Sequence, residues 1–527
     1  MSSSSKAFER ENHVQTYSFQ GDESICESDL LFHEELPTHF PALDDLYLDK
    51  AFLSFQACSS NEPRDWQPSQ EEKRPYAFPS AAMEILRRCR SRAGAEDGGS
   101  QRDRAKGKSQ RAPPPTLSVI QLIELAMRSF THSDSKTGKD FHHSAVIYPN
   151  RATFSRSKSE DIRLVQDLLS CAQAVSNHNN DCASEFLKEF SKLSSGSTNV
   201  MQRLVYYFAE SLRDRILQVN TRPLELIPPI SDTAALIEKL PFNQVMQFAG
   251  VQTMLDHISS CARVHVVDLG LYGGLRHAVL MQALATRSGC PIQHLKITAV
   301  AAQTHVQVEE EVVGVRLQNL AKSLNMSFSF HVITSEDILD LNQSILRPDP
   351  EETVIVQAAH ILRFMIPKLE ILMLAVRSLN PHVMIIIEVE ANVDSKVFVN
   401  RFAEALLFFG AGFDYLEHCL KDDLAARNYA ESVLFSPSIR HVVAAEEEER
   451  KFRMVGINFW RGVFVRFGMT ETELSKLALN HANSVLNMFD CRGCCRLGLD
   501  GNSLIVGWKG TPIFSLSAWK FQKIGSM

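Results

Sequence analysis

The stretch that most constrains this chain is Val264-His265-Val266-Val267-Asp268-Leu269-Gly270-Leu271-Tyr272-Gly273-Gly274-Leu275-Arg276-His277. A β-branched run ends in an acid, passes through glycines and opens into an amphipathic helical segment at Leu275–Leu284. This succession predicts the first strand, turn and helix of a doubly wound α/β sheet, where such a turn commonly holds a nucleotide or a methyl donor. Downstream, strands are predicted at Leu295–Ala301, Ser327–Ile333, Thr353–Ala358 and Val383–Val389, with helices at Val306–Leu324, Pro367–Leu379 and Lys396–Phe409. The alternation implies parallel strands with helices on both faces.

The C-terminal texture differs. Helices are expected at Asn458–Phe467 and Glu473–Phe489, followed by short apolar runs at Cys495–Leu499, Ser503–Trp508 and Pro512–Trp519. Asp500-Gly501 between the first two runs is a hairpin signal, so an antiparallel extension of the sheet is expected. Upstream, Ser157-x-x-Glu160 reads as a capping box opening a helix through Ile162, Val165, Leu168, Leu169, Ala172 and Val175. A second helix carries Phe186, Leu187, Phe190 and Leu193, and a third Val200, Leu204, Tyr207, Phe208, Leu212, Ile216 and Leu217. Further helices are expected at Asp232–Leu240 and Phe242–Ile258.

Residues 1–155 read as a disordered variable region, rich in Ser, Pro and charge without a sustained apolar period. Three features stand out in it. Phe40–Leu53 alternates large apolar residues with acids, as a segment that folds on a partner or docks on its own domain. Arg87, Arg88, Arg90, Arg92, Arg102, Arg104, Lys106, Lys108 and Arg111 form a basic cluster of the kind that serves nuclear import or attracts nucleic acid, or is simply solvated linker. Leu117–Phe130 is a possible short helix. The net charge of −7 argues against a nucleic-acid footprint over the whole chain. No apolar run reaches membrane-spanning length, and eleven scattered cysteines favour a reduced protein over a disulfide scaffold.

Catalytic motifs are weak. The dinucleotide fingerprint fails, because Leu271-Tyr272 stand where a second glycine must let a phosphate approach the backbone. Asp268-x-Gly270 suits a methyl-donor turn better, but the second strand ends Val300-Ala301-Ala302-Gln303, without the carboxylate that would hold ribose hydroxyls. The glycines then serve a tight turn only. Cys491-x-x-Cys494-Cys495, with His481 a distant fourth candidate, lacks a second Cys pair for zinc. His265 and Asp268 have no serine or cysteine nucleophile beside them. Glu388 and Glu390 share a strand face and read as sheet-end contacts. Glu446–Glu449 reads as solvated surface. No catalytic, cofactor-binding or metal-ligating residue is assigned.

These pieces in order resemble the GRAS family of plant transcriptional regulators. Val264–Asp268 is similar to that family's VHIID motif. Leu168-Leu169-x-Cys171-Ala172-x-Ala174-Val175 and Tyr207-Phe208-Ala209-Glu210-x-Leu212 resemble the ends of its first leucine-rich region. Arg316-Leu317-x-x-Leu320-Ala321-x-Ser323-Leu324 resembles the second such region, and Phe398-x-x-x-Phe402-x-Glu404-Ala405-Leu406 with Phe413-Asp414 the PFYRE segment. Trp460-x7-Gly468, Gly507-Trp508 and Ser517-Ala518-Trp519 resemble the closing SAW region. Two departures are Gly273-Gly274-Leu275-Arg276-His277, where the family commonly has Gln-Gly-x-Gln-Trp, and Glu446-Glu447 in place of an acid-Gly pair. The C-terminal half is closest to the DELLA-like branch, yet Asp29-Leu30-Leu31 is no DELLA motif.

The resemblance implies a GRAS domain over 156–527, with a helical cap at 156–260 and an α/β core at 261–527. The expected fold is α/β, a Rossmann-like (methyltransferase-like), doubly wound, mostly parallel sheet with an N-terminal helical cap and an antiparallel C-terminal extension. The expected function is nuclear transcriptional co-regulation without a cofactor. Its partners would be other GRAS proteins (as homo- or heterodimer) and DNA-binding transcription factors; DNA would be reached mainly through them. Leu168, Leu169, Val175, Leu204, Phe208 and Leu212 are the candidates for cap packing and partner contact, most of them expected to be core. Val264, His265, Val266, Val267, Asp268, Trp460, Gly468, Trp508 and Trp519 are the structural motif. The alternatives are an S-adenosylmethionine-dependent small-molecule methyltransferase with an unusual donor site and, third, a direct DNA binder through Arg87–Arg111.

Overall fold

A computed structural model describes residues 117–133, 155–218, 236, 239–271, 273–301, 304–334, 348–446, 449–450 and 452–522. Phe40–Leu53, the basic cluster Arg87–Arg111 and most of the helix expected at Asp232–Leu240 lie outside them. Four helices come first: α1 (Val119–Ser133), α2 (Arg156–Ser176), α3 (Asn180–Phe190) and α4 (Val200–Ile216). Then α5 (Pro241–His257) leads to β1 (Arg263–Asp268), α6 (Leu275–Ala285), β2 (His294–Ala301), α7 (Thr304–Ser323) and β3 (Phe328–Thr334). β4 (Thr353–Ala359), α8 (Leu369–Ser378), β5 (Val383–Val389) and the long α9 (Phe398–Cys419) follow. The chain continues through α10 (Leu424–Tyr429), a π-helical segment (Ala430–Phe435), α11 (Ser436–Ala444), α12 (Ile457–Arg466), β6 (Met469–Thr472) and α13 (Lys476–Leu486). Strands β7 (Cys495–Asp500), β8 (Ser503–Trp508) and β9 (Thr511–Phe521) close it.

The strands form one sheet in the order β3-β2-β1-β4-β5-β9-β8-β7, with β6 also paired to β9. The first five are parallel, and β9 runs antiparallel to β5, opposing Met384 to Trp519 and Val389 to Phe514. β7 and β8 make the hairpin expected at Asp500-Gly501. The central strands β1, β4 and β5 are buried on both faces, which is why they read as continuous apolar runs, whereas the edge strands β3 and β7 are partly exposed. Alternate residues divide between two cores. Val264, Val266, Ile355, Ile385 and Ile387 face α5 and α6, whereas Val267, Val356, Met384 and Ile386 face α8 and α12.

The cap has its own core, in which α2, α4 and α9 meet through Leu168, Leu204, Phe208, Phe402 and Phe409. Burying each of these side chains contributes roughly 1.5–3 kcal/mol. α9 joins cap to sheet: Phe402 and Phe409 belong to the cap core, Tyr415 and Leu416 to the core under the sheet.

Four details differ from the sequence reading. The folded unit reaches back past residue 155, because α1 packs into the cap with Ile123 fully buried. α5 was expected within the cap, but Phe242, Val245 and Met254 lie in the sheet core and Gly250 faces Ile387 and Leu516. Ser157 is inside α2 rather than at its cap; Ser155 holds the N-cap position without a side-chain hydrogen bond, and Glu160 pairs with Arg156. The acid run is not all solvated: Glu446 accepts a hydrogen bond from Arg401 and pairs with Arg215, joining α4 to α9.

Candidate functional site

The strand order reverses between β1 and β4, and the crevice beyond their carboxyl ends is where doubly wound sheets bind ligands. β1 brings Asp268 to that point with its side chain fully buried. Gly270 N donates to Asp268 Oδ1 at 3.0 Å, folding the turn back on the acid. Gly274 then opens α6 at φ +78°, and a Cβ there would lie 2.5 Å from Val313 of α7. Only glycine meets both demands.

Arg276, the second residue of α6, points back into the turn. Its Nη2 donates to Asp268 Oδ2 at 2.8 Å and Oδ1 at 3.0 Å, and its Nε donates to Oδ2 at 3.2 Å. The same Nη2 donates to the Gly270 carbonyl. Both side chains are buried, so the Asp268 carboxylate is satisfied from within. Burial holds the Asp268 carboxyl above its ordinary value, and the Arg276 charge and Gly270 amide offset only part of that rise.

His277 Nε2 lies 3.0 Å from Asp268 Oδ2 but is not aligned for a hydrogen bond. Burial, followed by the Arg276 charge, holds its pKa down to about 3, so the ring is neutral. His360 follows β4 at φ +56° and is held at about 3 by burial first. Gln357 is the β4 partner of Asp268, buried, with neither amide atom hydrogen-bonded. Among the described residues of this turn, Asp268, Arg276, His277 and Gln357 are all buried, and the acid among them is paired.

The other sequence candidates separate. His265 stays in β1, its Nε2 2.8 Å from Thr298 Oγ1, with burial holding its pKa to about 3. Val264, Val266 and Val267 are core. Glu388 is buried and accepts from Arg363 Nη1 at 3.3 Å, whereas Glu390 accepts from the Ile457 amide at the start of α12. They act as separate sheet-end contacts. Trp460 and Trp519 pack with Phe464 beneath β5 and β9. Gly468, at φ +74°, follows the end of α12. Trp508 donates from Nε1 to Asp414 at 2.7 Å and packs on Tyr415 and Phe242. Among the described residues, no group of three or more His, Cys, Asp or Glu could hold a metal.

Leu168, Leu169, Val175, Leu204, Phe208 and Leu212, expected to serve cap packing and partner contact, all lie in the cap core. All six are at most 6% exposed, because the apolar stripe of each helix is spent on its neighbours in the cap. Arg276 is the residue that sequence reasoning passed over. A cation in the first turn of a helix opposes the helix dipole, and that was the available signal that an acid waits nearby.

Fold and site together define a capped Rossmann-like protein whose first strand-to-helix turn is filled by its own arginine. The chain belongs to the GRAS domain family, whose model matches residues 164–520. It is a DELLA-like member of this family of transcriptional regulators. It is 28% identical over 374 residues to "DELLA protein RGL1" of Arabidopsis thaliana, covering 70% of this chain and 72% of that one. It is 30% identical to "DELLA protein GAI" of Gossypium hirsutum, covering 68% of each. The match to "DELLA protein GAI1" of Vitis vinifera is 29% identical over 69% of this chain and spans 62% of that protein. The crystal structure of SCL7 from Oryza sativa superposes with a TM-score of 0.60 at 25% identity, over 68% of this chain and 99% of that one.

Proposed function

We propose that this protein is a nuclear transcriptional co-regulator that acts by recruitment, using the α/β core as a scaffold. It binds other GRAS proteins and DNA-binding transcription factors, and these supply most of the DNA contact. The observation that carries this reading is the Arg276–Asp268 pair, which occupies from within the acid a methyl donor would need. Family membership supports the regulatory role. Partner contact runs through surface outside the six buried cap residues, since those hold the cap together.

Two measurements on the full-length protein test the proposal. Affinity purification from the native tissue recovers GRAS proteins and DNA-binding factors. Calorimetric titration with S-adenosylmethionine gives no saturable heat. Micromolar binding that disappears in Asp268→Ala would replace the scaffold reading with an enzymatic one.

A further inference from the structure

Three thiols from two distant parts of the chain meet beneath the C-terminal hairpin. Cys419 ends α9; Cys491 lies in the 3₁₀ turn Asp490–Gly493 after α13, and Cys495 begins β7. Cys495 Sγ is 3.6 Å from Cys491 Sγ, and Cys419 shares a hydrogen bond with Cys491. The Cys494 amide donates to the Cys491 carbonyl at 2.8 Å, closing the turn that holds the two cysteines together. Cys491 and Cys495 are buried, whereas Cys419 and Cys494 are half-buried, so the cluster borders solvent on one side.

We propose that Cys491 and Cys495 form a redox-active dithiol, a modification site at which a small hydroperoxide is reduced and the two sulfurs close into an intrachain disulfide. A disulfide needs sulfurs about 2.05 Å apart. The pair starts 3.6 Å apart, so closure takes a movement of about 1.5 Å between two sulfurs four positions apart in the chain.

Cys491 is the attacking sulfur. Thiol donors Cys419 and Cys495 flank it and lower its pKa, with the His418 ring adding to the effect, whereas Cys419 and Cys495 are themselves raised. The thiolate is the reactive form. Cys491 sulfur attacks one peroxide oxygen; the O–O bond breaks, and its electron pair leaves on the second oxygen, which takes a proton and departs as alcohol. Cys495 sulfur then attacks the Cys491 sulfenic acid, the S–O bond breaks, and water leaves with the Cys495 proton. Two thiols lose two electrons and two protons, and the hydroperoxide becomes one alcohol and one water. The consequence reaches the core, because Cys495 is the β7 partner of Trp508, which packs on Tyr415 of α9.

The test uses reduced full-length protein and hydrogen peroxide as probe, with free thiols alkylated before tryptic digestion without reductant. Arg492 lies between the two cysteines, so trypsin releases them on separate peptides that stay joined only through the new bond. The expected result is a joined pair, mapped to Cys495 by fragmentation and released by dithiothreitol. It should form at least about tenfold faster than Cys182 or Cys261 is lost. In Cys495→Ser the joined pair disappears, and Cys491 is captured by dimedone or linked to Cys419. The proposal is overturned if wild-type Cys491 stays a free thiol, or passes to sulfonic acid unlinked. It is also overturned if the purified protein carries stoichiometric zinc whose removal is required before peroxide reacts. The wild-type result decides alone should the variant fail to fold.

Discussion

Replacing Arg276 with methionine isolates the internal closure of the turn. In the native protein the Asp268 carboxylate receives three bonds from the guanidinium, between 2.8 and 3.2 Å, and one from Gly270 N at 3.0 Å. Arg276→Met leaves it with the amide alone, fully buried. Breaking a buried pair from one side costs about 3–5 kcal/mol, since the remaining charge keeps its desolvation penalty. The double variant Asp268→Asn, Arg276→Met removes both charges and should lie within about 1–2 kcal/mol of wild type, so the two changes are strongly non-additive. Urea denaturation of the four proteins of the cycle gives the coupling. pH supplies a second signature. Without its partner, Asp268 in Arg276→Met has a folded-state pKa well above its unfolded value. The contribution of such a group is complete below the unfolded pKa near 4 and is lost as pH rises through the folded pKa. The deficit relative to wild type therefore shrinks as pH falls from 7 toward 5, whereas a simple packing defect would not change. A cost below about 1 kcal/mol at pH 7, or additive single variants, would show that the guanidinium is not what neutralises this acid.

Other consequences follow from the same interior. His265, His277 and His360 are each held by burial at about 3, below the unfolded value near 6.5, so stability is complete above pH 6.5 and is lost as pH falls toward 3. At pH 5.5 each contributes a loss of about 1.4 kcal/mol, roughly 4 together, measurable as the difference between urea curves at pH 7.5 and 5.5. Arg203 of α4 is buried against Glu431 at 3.0 Å and Glu417; Arg203→Met should cost about 3–5 kcal/mol and loosen the cap first, seen as hydrogen exchange rising in α4 and the π-helical segment before the sheet. Ile123→Ala should cost about 2–5 kcal/mol, and no measurable loss of thermal stability would return α1 to the tail.

What was legible follows from what periodicity can carry. Strands β5 and β8 match their expected bounds end for end, because a buried strand must be a short, nearly unbroken apolar run. α9 was expected to stop at Phe409 but continues to Cys419. Gly410 and Gly412 fall inside the helix, where they let Ile123 of α1 and Phe435 of the π-helical segment approach closely. α1 explains the glycine, and the glycine explains α1. Neither is readable alone, since they are nearly three hundred positions apart. The site shows the same limit at shorter range. Asp268, Gly270 and Gly274 announce a tight strand-to-helix turn, and the structure has it between β1 and α6. The side chain that fills the turn is Arg276, and sequence spacing does not say whether a cation two residues into a helix reaches solvent or folds back. Its position argues the point in retrospect: at the positive end of a helix dipole, a buried guanidinium is tolerable only with a carboxylate against it, and Asp268 is that carboxylate. The charge of the turn is therefore balanced within the protein, and a charged ligand entering it would have to displace that pair.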